Sequence, residues 1–336
     1  MLNHNTLNKY DVSGMYKVYD TWPKIARDSY LSPQELIDFD NIDHIVFAGM
    51  GGSGAIGDIL SAILSKTNIH VAVVKGYHPP NTVDSKTLVV TTSISGNTAE
   101  TLSVLDTARK TKCRLIAFSS GGKMQEYCVR YKVEYRKIPK IHSPRASFPG
   151  FLYSILKVLG HILPVKEKDI LDSITDLEKT SKMISSENLD KDNPSLKLAE
   201  WISGIPDIYY PFGLQAAAVR FKNSLQENAK RHVMIEDVIE AGHNDIVAWE
   251  KKDRVQPILI EGNDDYIKTK QRWEILKKYF KTNKIDYREV HSVKGSIISK
   301  LINLIYVLDY STIYLAVLTK TDPSPTKSID FIKKLS

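Results

Sequence analysis

Two cysteines in 336 residues are too few for a disulfide framework. Cys113 and Cys128 stand in no Cys-x-x-Cys pair and no histidine-rich stretch, which argues against structural zinc and leaves two reduced, buried thiols. No apolar run reaches the roughly 18 residues that span a bilayer. Met1-Leu2-Asn3-His4 also lacks the basic-then-apolar order of a signal peptide, so a cytoplasmic protein without membrane contact is expected. Nor is there a Lys/Arg block: 46 basic and 39 acidic residues are scattered, giving +7 without the basic-aromatic interleaving of a nucleic-acid surface. That mild excess fits a solvated basic surface and equally an anionic ligand. With 42% apolar and 25% charged residues, the chain reads as globular and long enough for two domains.

What is present is an alternation of apolar runs and helical periodicity. After a polar leader holding Tyr10, Tyr16 and Trp22, strands are expected over 42–48, 70–74, 87–92, 114–118 and 133–138, with helices over 55–64 and 98–109. Helices follow over 151–163 and 170–183, then a polar linker at 185–194. The α/β order resumes with strands over 208–210, 256–261 and 287–291 and helices over 214–230, 269–280, 296–318 and 329–335. Such alternation implies doubly wound, mainly parallel sheets that bind ligands at the carboxyl ends of their strands.

Two loops fall at such ends: Gly49-Met50-Gly51-Gly52-Ser53-Gly54 and Ser93-Ile94-Ser95-Gly96-Asn97-Thr98. Glycines admit an anion to main-chain N–H groups, the helix start adds partial positive charge, and the hydroxyls of Ser53, Ser93, Ser95 and Thr98 can donate. Asn97 or Thr98 would also serve as a plain helix cap. Gly49, Gly51 and Gly54 have dinucleotide-fingerprint spacing, but the next strand ends in Val74-Lys75-Gly76 with no acid for a ribose. No Gly-Lys-Ser/Thr follows either, which leaves a phosphate without a nucleoside.

Further along, Arg145 in Ser143-Pro144-Arg145-Ala146 reads equally as a surface arginine or as one that orients substrate oxygens. Glu227 ends a helical run, and His243 follows Ala241-Gly242. A carboxylate and an imidazole make a minimal acid/base pair, though each taken alone is more simply a solvated side chain.

Together GMGGSG, SxSGNTxET, PRA, ENxK, GHN and the C-terminal Asp-Pro, Pro-Thr and Ile-x-x-x-Lys pattern resemble the archaeal bifunctional phosphoglucose/phosphomannose isomerases. These are homodimers of two sugar isomerase (SIS) domains. The resemblance implies two doubly wound α/β SIS domains side by side, over 1–184 and 195–336, acting on hexose 6-phosphates without metal or cofactor. It implies phosphate binding by Ser53, with Gly52 beside it, and by Ser93, Ser95 and Thr98. It assigns Arg145 to the reacting oxygens and Glu227 to proton transfer between C1 and C2. Ring opening falls to His243, reaching into the partner subunit's site, and to Lys333 or its neighbour Lys334. Thr326 would leave room beside C2 and C3 so that both C2 epimers react. The resemblance would have Glu at the position of Asp245. A non-catalytic SIS regulator would append a DNA-binding module, for which there is no room before Ile42. An amidotransferase would need a glutaminase with a cysteine near position 2, where Leu2 stands. An SIS isomerase with a single substrate is the remaining alternative.

Overall fold

The computed structural model describes residues 2–335. It divides into two compact units: Thr21–Thr175 with Ser296–Ser299, and residues 2–20, Asp176–Gly295 and 300–335.

In the first unit, β1 (His44–Ala48), β2 (His70–Val74), β3 (Thr87–Ser93), β4 (Arg114–Ser119) and β5 (Glu134–Lys137) form a parallel sheet in the order β2-β1-β3-β4-β5. Every residue of β1 and β3 is buried, because helices cover both faces of the sheet's middle. Val46, Ala48 and Val89 pack with Val104 and Ala108 of the helix Ala99–Arg109. Leu105 turns to Ala117, Met124 and Cys128. Burial pushes the Cys128 thiol up to about 11, so it packs as a small apolar group, whereas Cys113 is only half-buried. The strand order reverses between β1 and β3, and both glycine-serine loops leave the sheet there.

The second unit repeats the pattern with β6 (Ile205–Tyr210), β7 (Met234–Asp237), β8 (Val255–Glu261) and β9 (Arg288–His291), all parallel, in the order β7-β6-β8-β9. Strand β7 and the helix Gly122–Tyr131 are additions to the sequence reading. The helix expected over 55–64 begins at Gly51, so the first loop is its first turn. A Cβ at Gly54 would lie 2.8 Å from the Gly49 carbonyl, and glycine therefore allows this helix to sit on the strand end.

The leader is not a polar tail. It folds as the helices His4–Tyr10, Met15–Asp20 and Trp22–Leu31, with Leu7, Met15, Tyr19 and Trp22 fully buried. Residues up to Asp20 join the second unit for a hydrogen-bonding reason. Tyr306 donates to the Tyr19 carbonyl at 2.7 Å, Tyr310 to Asp20 at 2.6 Å, and Asp20 also receives the Ser186 N–H and hydroxyl. Trp22 instead donates to the Ala146 carbonyl of the first unit at 3.0 Å.

The helix Ile297–Leu318 is long and apolar enough to cross a membrane by length and composition, but 89% of its apolar window is buried, as in a core helix. On it, Asp309 takes the Arg220 Nε and Nη2 donors at 2.9 and 2.8 Å, with both side chains almost wholly buried. Removing one member strands the other charge, at a cost of about 3–5 kcal/mol. Arg220→Met should lower unfolding free energy by that amount, and adding Asp309→Leu should restore most of it. Denaturant titrations of the two variants test this.

Candidate active site

At the carboxyl end of β3, Thr98 occupies the capping position of the helix Ala99–Arg109, yet its side chain caps no N–H of that helix. Its hydroxyl bonds that of Ser93 at 2.9 Å, and Ser93 Oγ accepts from the Gly96 N–H at 3.1 Å. Ser95 Oγ accepts from the Asn97 N–H at 3.3 Å. The helix Gly51–Leu64 starts behind Met50, which has no side-chain oxygen to offer as a cap, although its carbonyl accepts the Ser53 N–H at 3.0 Å. Both helix starts thus leave first-turn N–H groups for an outside acceptor, with three hydroxyls beside one of them. Asn97 does not cap its own helix either: its Oδ1 accepts from the Lys123 N–H at 3.0 Å, in the first turn of the helix Gly122–Tyr131.

The loop is buttressed. Gly96 has a left-handed backbone (φ +73°), and a Cβ there would stand 1.8 Å from the Gly121 carbonyl. The Gly96 carbonyl accepts from Met124 N–H at 2.9 Å, and Ser120 donates to the Ile94 carbonyl at 2.7 Å. Ser53, 7% exposed and next to half-buried Gly52, ties the two loops together by accepting the Ile94 N–H at 3.2 Å. Arg145 is 5% exposed, in the turn before the helix Phe148–Val158, which sets aside the surface reading. Ser147 stitches that turn by accepting the Ile141 N–H and donating to the Ser143 carbonyl, both at 2.8 Å. Nearby, His142 has a left-handed backbone and buried ring nitrogens without a hydrogen-bond partner among the described residues. Sequence reading passed over it.

In the second unit, Glu227 is the half-buried last residue of the helix Gln215–Glu227. Asn228 Nδ2 donates to Thr312 Oγ1 at 2.8 Å, and Lys230 donates to the carbonyls of Glu227 and, at 2.8 Å, Pro325. Lys230 therefore ties Glu227 to the Pro325-Thr326 corner, where the half-buried Thr326 opens the helix Lys327–Leu335 by accepting from Ile329 N–H at 2.9 Å. Lys333 is exposed on that helix, and the Lys334 side chain lies outside the described residues. His243 is exposed on a turn between the short helix Val238–Ala241 and the 3-10 segment Asp245–Glu250.

Beneath this turn is a polar group that the strand pattern concealed. Asp207 on β6 is 1% exposed, with neither carboxylate oxygen hydrogen-bonded among the described residues. Burial, and then the charge of Asp245, raise it from 3.8 to about 7. Burial, with Asp245 and Glu240, also raises Glu236, the β7 residue opposite Tyr209. Elsewhere Glu261, Glu289 and His291 gather closely enough to suit a cation, but Lys277 bridges the two carboxylates at 2.8 and 2.9 Å and supplies one.

Because folded Asp207 holds its proton up to about pH 7 while the unfolded chain releases it near 3.8, the unfolded state binds fewer protons between those values, and stability falls as pH rises through that window. The loss is on the order of 4 kcal/mol. Asp207→Asn should therefore gain stability over the parent from pH 4 to about pH 7 and then level off, in paired melting curves. A difference that does not change with pH would contradict the shift.

Comparison with known proteins adds an independent line. The SIS domain family matches residues 38–137, and the bacterial phospho-glucose isomerase C-terminal SIS domain matches residues 191–335. The chain is 33% identical to the bifunctional phosphoglucose/phosphomannose isomerase of Caldicellulosiruptor bescii, over 88% of this chain and 89% of that one. It is 30% identical to the protein of the same name from Aquifex aeolicus, over 96% of each. Among solved structures, a hypothetical protein of Thermus thermophilus shares the fold with a TM-score of 0.73 at 15% identity, covering 98% of this chain and 92% of that one.

Proposed function

The chain belongs to the bifunctional phosphoglucose/phosphomannose isomerase family, and from that we propose that it interconverts glucose 6-phosphate or mannose 6-phosphate with fructose 6-phosphate through a cis-enediol. The observation that carries this reading is the hydroxyl-lined, uncapped helix start after β3, a seat for a small phosphate at the strand-order reversal. Ser93, Ser95 and Thr98 hold the phosphate, with Ser53 and Gly52 on the sugar side.

His243 and Lys333 open the sugar ring. The carbonyl at C1 then acidifies the C2 proton, which Glu227 removes, and the electron pair shifts so that O1 becomes the enediolate oxygen. Arg145, a buried cation, offsets that charge. Glu227, its acid proton exchanging with water while the intermediate lasts, protonates C1, and the proton of the C2 hydroxyl passes to O1, giving the ketose. Thr326 leaves the intermediate room to turn, so that either face of C2 is reached from the ketose side. No step calls for a metal or a redox cofactor. We further propose a homodimer in which His243 serves the partner's substrate, and a cytoplasmic location, because doubly charged hexose phosphates do not cross membranes unaided.

A coupled assay on the purified protein with each aldose phosphate, with and without chelator, tests the reading. Turnover of both, unchanged by chelator, is expected, and chelator-sensitive mannose 6-phosphate activity would contradict it. Glu227→Gln should lower kcat by about 10²–10⁴-fold with KM nearly unchanged. Thr98→Val should do the reverse, raising KM about 10-fold or more through a lost hydrogen bond to a charged group. A Glu227→Gln enzyme of near-normal rate would sink the assignment of the base.

A further inference from the structure

The turn that presents His243 is held by groups that no step of the reaction uses. Asp207 and Tyr209 project from one face of β6, two residues apart. The Tyr209 hydroxyl donates to Asp245 Oδ2, and it accepts from Trp249 Nε1 at 2.7 Å. Asp245 and Trp249 lie on the same 3-10 segment, so one buried hydroxyl pins that segment at two points, immediately after His243-Asn244. On the other side, the His243 N–H donates to the Glu240 carbonyl at 2.8 Å, and Asn244 reaches Glu240 Oε1 at 3.2 Å.

The turn also has room to move. A cavity of about 200 Å³ lies against it, bounded by Tyr209, Gly242, Asp245, Ile246 and Arg272. No residue of Asp245–Glu250 is fully buried; Ile246 and Trp249 rest half-buried on the core, Trp249 edge-on to Phe280 with ring centroids 5.3 Å apart. Apolar packing alone tolerates sliding, so the register of the segment is set by directional bonds, and the Tyr209 pair is the part of that set anchored in the core, where Tyr209 is fully buried among Leu259, Trp273 and Phe280.

We infer that the Tyr209 hydroxyl, bridging Asp245 and Trp249, is a positioning group that fixes the turn carrying His243 and thereby the ring-opening step. The inference rests on the assignment of ring opening to His243. Tyr209 touches no substrate. Its loss should slow ring opening while leaving phosphate binding alone, because the phosphate seat belongs to the other unit.

The test separates ring opening from proton transfer. In full-length Glu227→Gln protein, where isomerisation is slowed by about 10²–10⁴-fold, magnetisation-exchange NMR reads the interconversion of the α and β anomers of glucose 6-phosphate. Adding Tyr209→Phe should slow catalysed anomer exchange at least 10-fold. In the otherwise native enzyme it should lower kcat for glucose 6-phosphate by a similar factor, with KM changed less than 3-fold. Asp245→Ala should behave the same way and stands in for Tyr209→Phe if that variant does not fold. Asp245→Glu, which keeps the acceptor, should stay within about 3-fold of the parent. Parental exchange rates in folded Tyr209→Phe or folded Asp245→Ala would overturn the inference. Exchange unaffected by His243→Ala would instead overturn the ring-opening assignment and take the inference with it.

Discussion

The reversal of strand order between β1 and β3 is the constraint on which the candidate site depends. Parallel strands joined by covering helices send the chain to β2 on one side of β1 and to β3, β4 and β5 on the other. Two successive helix starts then leave the sheet from neighbouring strand ends. At that place the chain supplies no side-chain caps, Gly54 and Gly96 with no room for a Cβ, and a pair of hydroxyls bonded to each other. The proposed phosphate dianion would find there both free helix-start N–H groups and hydroxyl donors. The same geometry without the hydroxyls would be an ordinary pair of helix starts.

The neighbouring loop makes this arrangement rigid rather than adaptable. Asn97, Gly96 and Ile94 are each bonded to the 120–124 segment that follows β4, so the loop after β3 is held from the adjacent strand as well as from its own. Preorganisation of this kind spares the ligand the entropy of ordering the loop. On the other unit, Lys230 has a comparable task, tying the Glu227 helix end to the Pro325-Thr326 corner through two carbonyls. These are long-range bonds between short motifs. They explain why ENxK and the C-terminal Pro-Thr belong together although 95 residues separate Lys230 from Pro325.

The central strands His44–Ala48 and Thr87–Ser93 were legible because every residue in them is buried and an apolar stretch, Ile45–Ala48 or Leu88–Val90, runs through each. Met234–Asp237 was not, since half of that four-residue strand is acidic. The leader was misread for a related reason. Its Tyr19 and Trp22 carry polar atoms, and those atoms find partners only far along the chain, on Asp309 and on the Ala146 carbonyl. Both glycine-serine loops were legible as local motifs at strand ends. What holds His243 was not: Tyr209 sat in a strand that reads as core, and its bond to Asp245 spans 36 residues. The one available signal was Asp207, a carboxylate inside an otherwise apolar strand.

The central claim is that one chain moves a proton between C1 and C2 of an open-chain hexose phosphate through an enediol, and that both faces of C2 are accessible. Fructose 6-phosphate incubated with the purified protein in deuterium oxide tests it directly. Proton and deuterium NMR of the products should show glucose 6-phosphate and mannose 6-phosphate both carrying solvent deuterium at C2. Products formed without any deuterium there would mean that hydrogen passes directly between the carbons, and the enediol mechanism would be contradicted.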